Sequence, residues 1–433
     1  MNAERIRQAT RVDEIEGRFD GLLLGATLAL AAIGVVMVGS SSLAVAEGQG
    51  VGEFHYLVRH LVHLGVGVAL GIAVTRIELR DLERHGLLLL LLAFLLLMAV
   101  FLPGLGRTVN GARRWINLGP FGFQAVEAVK LMLIVWLASY LARHRDQVQR
   151  QLVGLLKPVV VVGGLVVLLM FQPDFGSAML LVGIAGAMLF LGGVRIVHLV
   201  GLALLAVPLL ATAAMVESYR LRRLTSFLDP WADPFKDGFQ LTQALIAIGR
   251  GEIGGVGLGS SVQKLFYLPE AHTDFIFAVL AEETGLLGIL VVMGLYALVA
   301  GRAFRIGLRA VEMGRGFAGH CAFGIGAWLA LQASVSIGVN LGVLPTKGLT
   351  LPLISAGGSS VLMTCVGLGL LQRIAYEVER SARRAALHRA EPVAVAPAAE
   401  SVPVLEPVPL RRAAREGRPL RVRIEPRLGE VAG

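Results

Sequence analysis

Long apolar runs alternate with short polar connections along most of this chain. The runs lie at residues 21–46, 57–75, 86–103, 124–142, 157–172, 176–193, 196–216, 274–300, 317–343 and 353–372. Since a helix needs roughly 20 apolar residues to cross a bilayer, each run is a candidate membrane span. The pattern therefore predicts an all-α, polytopic integral membrane protein with about ten transmembrane helices.

Composition favours lipid over a soluble core as the environment of these runs. Hydrophobic residues make up 55% of the chain and charged residues 16%, an apolar share above that of a typical soluble domain. The formal net charge of +9 does not indicate a nucleic-acid partner, because the basic residues lie in short segments between apolar runs. Cys321 and Cys365 fall inside apolar runs, where packing is their expected role.

Charge in the connections predicts the orientation of the spans. Arginine-rich connections alternate with connections poorer in positive charge, and the arginine-rich side stays in the cytoplasm. These arginines are Arg76, Arg80, Arg84, Arg143, Arg145, Arg150, Arg302, Arg305, Arg309 and Arg315. We therefore expect both termini in the cytoplasm, with residues 1–20 as an N-terminal segment, residues 21–376 as the transmembrane domain and residues 377–433 as a basic, disordered tail. The first run is too long for a signal sequence and should remain as a span.

A large loop, residues 217–273, separates the seventh and eighth spans on the predicted outer side. Loops longer than about 15 residues tend to be functional or disordered. Apolar residues such as Trp231, Phe235 and Leu241 are expected to anchor it, and it should fold back onto the membrane surface. Its basic residues, including Arg250 and Lys264, oppose the orientation rule and suggest an anionic ligand. The alternative is pairing with acidic residues of the same loop, namely Asp229, Asp233, Asp237 and Glu252.

The tail after Arg389 differs from the rest of the chain in composition. Pro, Ala, Val and Glu alternate up to Pro409, and an arginine-rich end follows. Such a sequence is typical of a flexible linker with a cationic patch. Anionic lipid of the inner leaflet and a cytoplasmic protein both suit it as partners.

Motifs of nucleotide and metal chemistry are absent from the sequence. The glycine-rich stretch that begins at Gly257 lacks the GK[ST] of a P-loop, and there is no H-E-x-x-H or G-x-S-x-G. The nine histidines form no metal-ligand pattern. These absences leave the ionisable residues near the outer ends of the spans as candidates.

Asp274 is the strongest of these candidates. It lies where the glycine-rich loop enters the eighth span, in the stretch Pro269-Glu-Ala-His-Thr-Asp-Phe-Ile. A carboxylate that stays ionised at the boundary between water and membrane suits a general base toward a sugar hydroxyl. Position alone also allows a structural role, because an Asp is favoured at a helix N-terminus.

Further polar residues lie within or beside the apolar runs. Glu282 and Glu283 follow Asp274 in the same span, where carboxylates are costly unless they are paired or functional. Glu127 and Lys130 are spaced to form an ion pair on one helix face. Asp174 lies in a turn between two spans. Together they indicate a polar cavity between the helices that admits a charged substrate.

Several sequence blocks resemble those of the SEDS family (shape, elongation, division and sporulation) and occur in the same order. The resemblance extends from about residue 21 to residue 372. The blocks are Asn110-Gly-Ala-Arg-Arg-Trp-Ile, Gln172-Pro-Asp-Phe-Gly, Asp229-Pro-Trp-Ala-Asp-Pro, Val262-Gln-Lys-Leu-Phe-Tyr-Leu-Pro-Glu-Ala-His-Thr-Asp, and Gly342-Val-Leu-Pro-Thr-Lys-Gly-Leu-Thr-Leu-Pro with the following Ser-Ala-Gly-Gly-Ser-Ser. Within the family, the last block resembles the division and sporulation branch.

The resemblance implies a peptidoglycan glycosyltransferase that polymerises lipid II into lipid-linked glycan at the outer face of the cytoplasmic membrane, at the division septum. Its partners would be a class B penicillin-binding protein and other membrane proteins of division. Asp274 matches the family's essential aspartate, and Glu127, Lys130 and Asp174 match residues of its central cavity. Further expected substrate contacts are Arg113, Arg114, Trp115, Gln263, Lys264, His272 and Lys347.

The cofactor and two rival functions stay open at this point. Outer cations such as Arg113 and Lys264, or a divalent ion (Mg²⁺ or Mn²⁺), would stabilise a pyrophosphate leaving group. A lipid II flippase is the main rival, since many spans and a polar cavity also suit a transporter. A non-catalytic division scaffold is the other, because the tail is long and basic. A flippase leaves lipid II unpolymerised, and a scaffold tolerates loss of Asp274.

Overall fold

A bundle of membrane-length helices with a small sheet at one end makes up the described part of the chain. The computed structural model describes residues 16–109, 111–119, 121–216, 226–265, 267–346 and 348–390. The apolar helices are α1 Gly21–Gly48, α2 His55–Val74, α4 Gly86–Ala99, α5 Ala125–Arg143, α7 Val153–Phe171, α8 Phe175–Leu191, α9 Ile196–Val216, α11 Ile276–Glu312, α12 Gly316–Asn340 and α13 Gly358–Ala390. Shorter helices between them are α3 Leu79–Arg84, α6 Arg145–Arg150 and α10 Phe239–Gly251.

The predicted polytopic all-α fold is confirmed. Over the described residues, seven helices are long and apolar enough to cross a membrane, and three shorter apolar helices, α4, α8 and α9, accompany them. The chain is therefore a membrane protein. Helix α11 is longer than the predicted span, because it continues to Glu312 rather than ending near residue 300.

Two helices form the centre of the bundle. In α5, 89% of the apolar stretch is buried, and in α12 78%, against 22% in the peripheral α2. Trp328 of α12 and Leu133 of α5 are fully buried. The outer helices leave many leucines and valines exposed, because their neighbour is lipid rather than water.

Close backbone contact between glycines joins α2 to α13. A Cβ added to Gly369 would lie 2.3 Å from the carbonyl oxygen of Gly71, and one added to Gly71 would lie 2.8 Å from the carbonyl oxygen of Cys365. Small residues allow such an approach between membrane helices, where van der Waals contact replaces the hydrophobic effect.

Ion pairs join the helices at one end of the bundle, here called the basic end. The pairs are Asp20 with Arg302, Glu83 with Arg143, and Glu377 with both Arg315 and Arg373. The guanidinium of Arg373 also donates to the carbonyl oxygen of Thr75 at the end of α2 (3.0 Å). The connections predicted to be cytoplasmic from their arginines therefore meet at one end.

The opposite end, here called the loop end, carries a three-stranded antiparallel sheet that the sequence did not predict. Its strands β1 (Gly106–Val109), β2 (Ala112–Leu118) and β3 (Phe121–Gln124) pair in the order β1-β2-β3. The sheet leads directly into α5, and its last backbone amide, from Gln124, donates to the Ser359 hydroxyl at the start of α13 (2.9 Å).

Helix α11 is broken at Gly285, whose backbone angles (φ 66°, ψ −163°) are not helical. A Cβ at this position would lie 2.4 Å from a backbone nitrogen of the preceding loop, so glycine is required. Loop backbone satisfies the freed groups: the Leu286 amide donates to the carbonyl oxygen of Glu252 (3.0 Å), and the Val256 amide donates to that of Glu282 (2.9 Å). The loop thus enters the bundle at this break, a contact that the expected fold back onto the membrane surface did not include.

The predicted loop anchors also need correction. Trp231 and Phe235 are 56% and 85% exposed, so they anchor nothing within the described residues. Leu241, the third predicted anchor, is buried in α10 together with Ala244 and Ala247. Residues 217–225 of the predicted loop lie outside the described residues.

The predicted boundary of the tail at residue 377 falls inside a helix. α13 continues to Ala390, and i, i+4 ion pairs support its last turns, Arg373 with Glu377 (2.9 Å) and Arg383 with Glu379 (3.0 Å). Residues 1–15 and 391–433, with the linker and the cationic patch predicted there, lie outside the described residues.

The glycine contact between α2 and α13 predicts that alanine substitutions at two glycines affect stability differently. Gly369→Ala should lower the free energy of unfolding by about 1–3 kcal/mol, because the added methyl group meets backbone. Gly65→Ala, on a face of α2 with nothing within 4 Å, should be neutral or slightly stabilising. Thermal unfolding of the detergent-solubilised variants measures both. Equal midpoints would contradict the close packing of α2 on α13.

Candidate active site

Asp274 lies at the loop end, in the turn that precedes α11. It is half-buried, and a Cβ added to Gly348 would lie 3.0 Å from its Oδ2. The N-cap residue of α11 is Phe275, one residue later. The Ala278 amide of the first turn donates its hydrogen bond to Asn340 Oδ1 (3.1 Å). Asn340 therefore accepts from a first-turn amide of α11, and the role of Asp274 stays a prediction.

Asn340 fixes the backbone around Asp274. It is fully buried at the end of α12, and its Nδ2 donates to the carbonyl oxygens of Asp274 (3.0 Å) and Ser336 (2.8 Å). Because its amide also accepts from α11, one side chain ties the turn, α11 and α12 together. Sequence reasoning missed this residue, although a polar residue within an apolar run was a usable signal.

His272 precedes Asp274 by two residues and also contacts other elements. Its ring lies 4.9 Å from that of Tyr56 at the start of α2, and its carbonyl oxygen accepts from the Ala356 amide (3.0 Å). Burial lowers the pKa of His272, while the neighbouring Glu270 carboxylate opposes this shift. The side chain therefore favours the neutral form at neutral pH.

A buried polar network connects α5 with α12. Lys130 lies 2.9 Å and 2.8 Å from the two carboxylate oxygens of Glu127, which confirms the predicted i, i+3 ion pair. Its ammonium also donates to Gln332 Oε1 (2.7 Å), and Gln332 Nε2 donates to the carbonyl oxygen of Thr350 (2.9 Å). Trp328 donates to the same Gln332 oxygen (2.7 Å). The charges are almost entirely buried, so their pairing is obligatory.

The predicted basic residues of the sheet are engaged in local contacts. Arg113 donates to the carbonyl oxygens of Phe101 (3.2 Å) and Leu102 (2.8 Å), which fastens the sheet to the end of α4. Arg114 lies 3.9 Å from Asp174, with its side chain 31% exposed. Asp174 caps α8 through the Ser177 amide (3.2 Å). Trp115 is half-buried in β2.

The carboxylates of α11 hold the loop rather than facing an open cavity. Glu282 pairs with Arg250 (3.0 Å) and accepts from the Gln263 amide (3.4 Å). Glu283 pairs with Lys264 (2.8 Å). Arg250 and Lys264 thus pair with carboxylates of α11, and not with the acidic loop residues that were the alternative to an anionic ligand. Gln263 and Lys264 both contact carboxylates of α11 in this structure. Their contacts with substrate stay a prediction.

The segment after α12, residues 348–360, touches each part of this site. Gly348 adjoins the Asp274 carboxylate, Thr350 accepts from Gln332, and Ala356 donates to His272. Ser359 binds the sheet. One segment thereby gathers the aspartate, the buried ion pair and the sheet at the loop end. Lys347, a predicted substrate contact, lies outside the described residues.

Metal ligation has no ready donor set among the side chains that the structure describes. No group of three or more His, Cys, Asp or Glu is placed to hold an ion.

Comparison with known sequences agrees with this architecture. Residues 21–380 match the profile of the FtsW/RodA/SpoVE family, described as cell cycle proteins. A probable peptidoglycan glycosyltransferase FtsW from Xanthomonas oryzae pv. oryzae is 56% identical over 403 residues, covering 93% of this chain and 82% of that protein. A probable FtsW glycosyltransferase from Coxiella burnetii is 49% identical and covers 84% of this chain and 98% of that protein.

Solved structures give the same fold. A chain of a peptidoglycan synthase complex that coordinates polymerization and crosslinking superposes with a TM-score of 0.69 at 32% identity, covering 83% of this chain and 98% of its own. The rod shape determining protein RodA of Thermus thermophilus has a TM-score of 0.61 at 30% identity, with 82% of this chain and 96% of RodA covered.

The buried ion pair predicts non-additive effects of substitution. Glu127→Leu should lower the free energy of unfolding by about 3–5 kcal/mol, because it leaves the Lys130 ammonium buried without its counter-charge. The double variant Glu127→Leu/Lys130→Met should recover most of that loss. Unfolding of the solubilised proteins measures the coupling. A double variant less stable than the single one would show that the two charges act independently.

Proposed function

Because this chain belongs to the FtsW/RodA/SpoVE family of cell cycle proteins, we propose that it is a peptidoglycan glycosyltransferase with Asp274 as its general base. The family resemblance drawn from the sequence blocks is confirmed by the match over residues 21–380. The observation that carries the catalytic assignment is the position of Asp274. It is half-buried at the loop end, beside a glycine that adds no side chain to cover it.

The substrates are lipid II and the lipid-linked glycan that grows from it. The positive-inside rule supports a cytoplasmic position for the basic end and both termini, and an outer position for the loop end. Asp274 then lies at the boundary where a lipid-linked sugar extends from the membrane. The names of the relatives support cell division, and hence the septum, as the place of action.

Catalysis requires a base for one oxygen and stabilisation of a leaving group. Asp274 accepts the proton from the 4-hydroxyl of the acceptor sugar while this oxygen attacks the anomeric carbon of the lipid-linked donor. The new glycosidic bond forms as the bond from that carbon to the pyrophosphate oxygen breaks. Polyprenyl pyrophosphate leaves with the bonding electrons, and no covalent enzyme intermediate is needed.

Negative charge on the departing pyrophosphate calls for cations. Arg114 suits this role better than Lys264, because its side chain is 31% exposed, whereas Lys264 is buried against Glu283. Arg113 and Lys347 stay predicted contacts. A divalent ion, Mg²⁺ or Mn²⁺, would assist by entering with the pyrophosphate, whose oxygens are strong ligands for it.

A class B penicillin-binding protein suits this chain as crosslinking partner. Support comes from the structural neighbour, which is part of a complex that coordinates polymerization and crosslinking. Crosslinking of each new strand follows its polymerisation, so one complex shortens the path between the two sites.

Asp274→Asn tests the proposed chemistry directly. The substitution keeps the size of the side chain and removes its basicity, so polymerisation of lipid II should fall by about 10²- to 10⁴-fold. The measurement is glycan-chain formation by the purified protein together with its transpeptidase partner.

Asp237→Asn is the matched control, because Asp237 is an exposed carboxylate of the same loop. It should polymerise like the wild type. Full activity of Asp274→Asn would eliminate the base, and lipid II that crosses the membrane without being polymerised by the wild type would favour the flippase instead.

Asn340 gives a second test, of positioning rather than chemistry. Asn340→Asp keeps an acceptor for the Ala278 amide but loses the donor to the carbonyl oxygen of Asp274 and places a negative charge beside it. We expect kcat to fall at least tenfold with KM for lipid II nearly unchanged. An increase in KM with kcat unchanged would refute the positioning role.

A further inference from the structure

A cavity of about 500 Å³ opens at the basic end, far along the bundle from the candidate active site. Its wall combines the start of α1, the last turns of α11 and the middle of α13. The charged lining residues are Arg18, Asp20, Arg302, Arg309 and Glu379. Its volume falls within the range of small-molecule sites. Nothing in the proposed glycosyl transfer uses this cavity.

The charges of the cavity do not balance. Arg302 is neutralised by Asp20, whose Oδ2 lies 3.0 Å from its Nε, and Glu379 pairs with Arg383 (3.0 Å). Arg18 and Arg309 are exposed, and neither forms an ion pair within the described residues. Two guanidinium groups therefore remain to attract an anion.

Apolar residues continue from the cavity onto the lipid-facing surface. Leu22 lines the cavity and is 59% exposed at the start of α1. Leu24 and Leu28, further along the same helix, are also exposed large apolar residues. The cavity thus joins a cationic pocket to a surface that acyl chains cover, which suits an amphiphile better than a free ion.

We propose that this cavity binds the phosphate headgroup of an anionic phospholipid from the cytoplasmic leaflet. Arg18 and Arg309 hold the phosphate oxygens, since guanidinium groups form paired hydrogen bonds with phosphate. The acyl chains follow Leu22 along α1. The bound lipid would link the first helix to α11 at the inner boundary of the membrane.

The test measures binding of phosphatidylglycerol to the full-length protein in detergent, by native mass spectrometry. Arg18→Ala and Arg309→Ala should each weaken binding about fivefold, in keeping with about 1 kcal/mol for one arginine near anionic lipid. The double variant should bind roughly twentyfold more weakly. Both residues are exposed, so thermal unfolding midpoints in lipid-free detergent should stay unchanged.

The control variant also removes two arginines from the basic end, but neither of them lines the cavity. Arg76→Ala/Arg305→Ala changes two exposed arginines that do not line the cavity, and it should alter binding less than twofold. Equal weakening in this control would mean that only the general field of the basic end attracts the lipid. Unchanged binding in the Arg18→Ala/Arg309→Ala variant would also overturn the site.

Competition distinguishes the lipid from soluble phosphate. Excess inorganic phosphate should not displace phosphatidylglycerol, because it lacks the contact along Leu22. Displacement would assign the cavity to a soluble phosphate compound and refute the lipid assignment. None of these readouts depends on polymerase activity, so they stand apart from the test of Asp274.

Discussion

The structure depends on one constraint, which is that backbone groups inside a membrane need hydrogen-bond partners. Helix α11 loses helical backbone hydrogen bonds where it is broken at Gly285. The glycine-rich loop supplies the replacements through Glu252 and Val256. This exchange draws the loop into the bundle, where Glu282 and Glu283 hold the turn of residues 261–264. The chain that leaves this turn leads to Asp274. The break in the helix is therefore what brings a loop residue to a defined place beside α12.

The carboxylates of α11 and of the turn before it have separate tasks. Glu282 and Glu283 are almost fully buried and paired with cations of the loop, so their charges stabilise the fold. Asp274 is half-buried, and Asn340 holds its backbone while also capping the helix. Asp274 thus combines partial exposure with a fixed backbone position.

Local patterns predicted much of this molecule, and non-local contacts account for the rest. Apolar runs gave the spans because their length follows from bilayer thickness, and the spacing of Glu127 and Lys130 gave their pairing. The break at Gly285 was not predictable, and the position of Asn340 in an apolar run could mark the residue but not its partners, since both features need contacts distant in sequence. Exposure of Trp231 and Phe235 was missed because apolar character does not say which surface a side chain meets.

The depth of the site in the membrane follows from two helices tied together at both ends. α1 packs along α11, and at the basic end Asp20 of the first pairs with Arg302 of the second. Near the loop end, Ser40 of α1 donates to Glu283 of α11 (2.6 Å) and accepts from Lys264 (2.8 Å). Sliding of one helix past the other would break both sets of contacts at once. The distance from the basic end to the turn that carries Asp274 is thereby fixed.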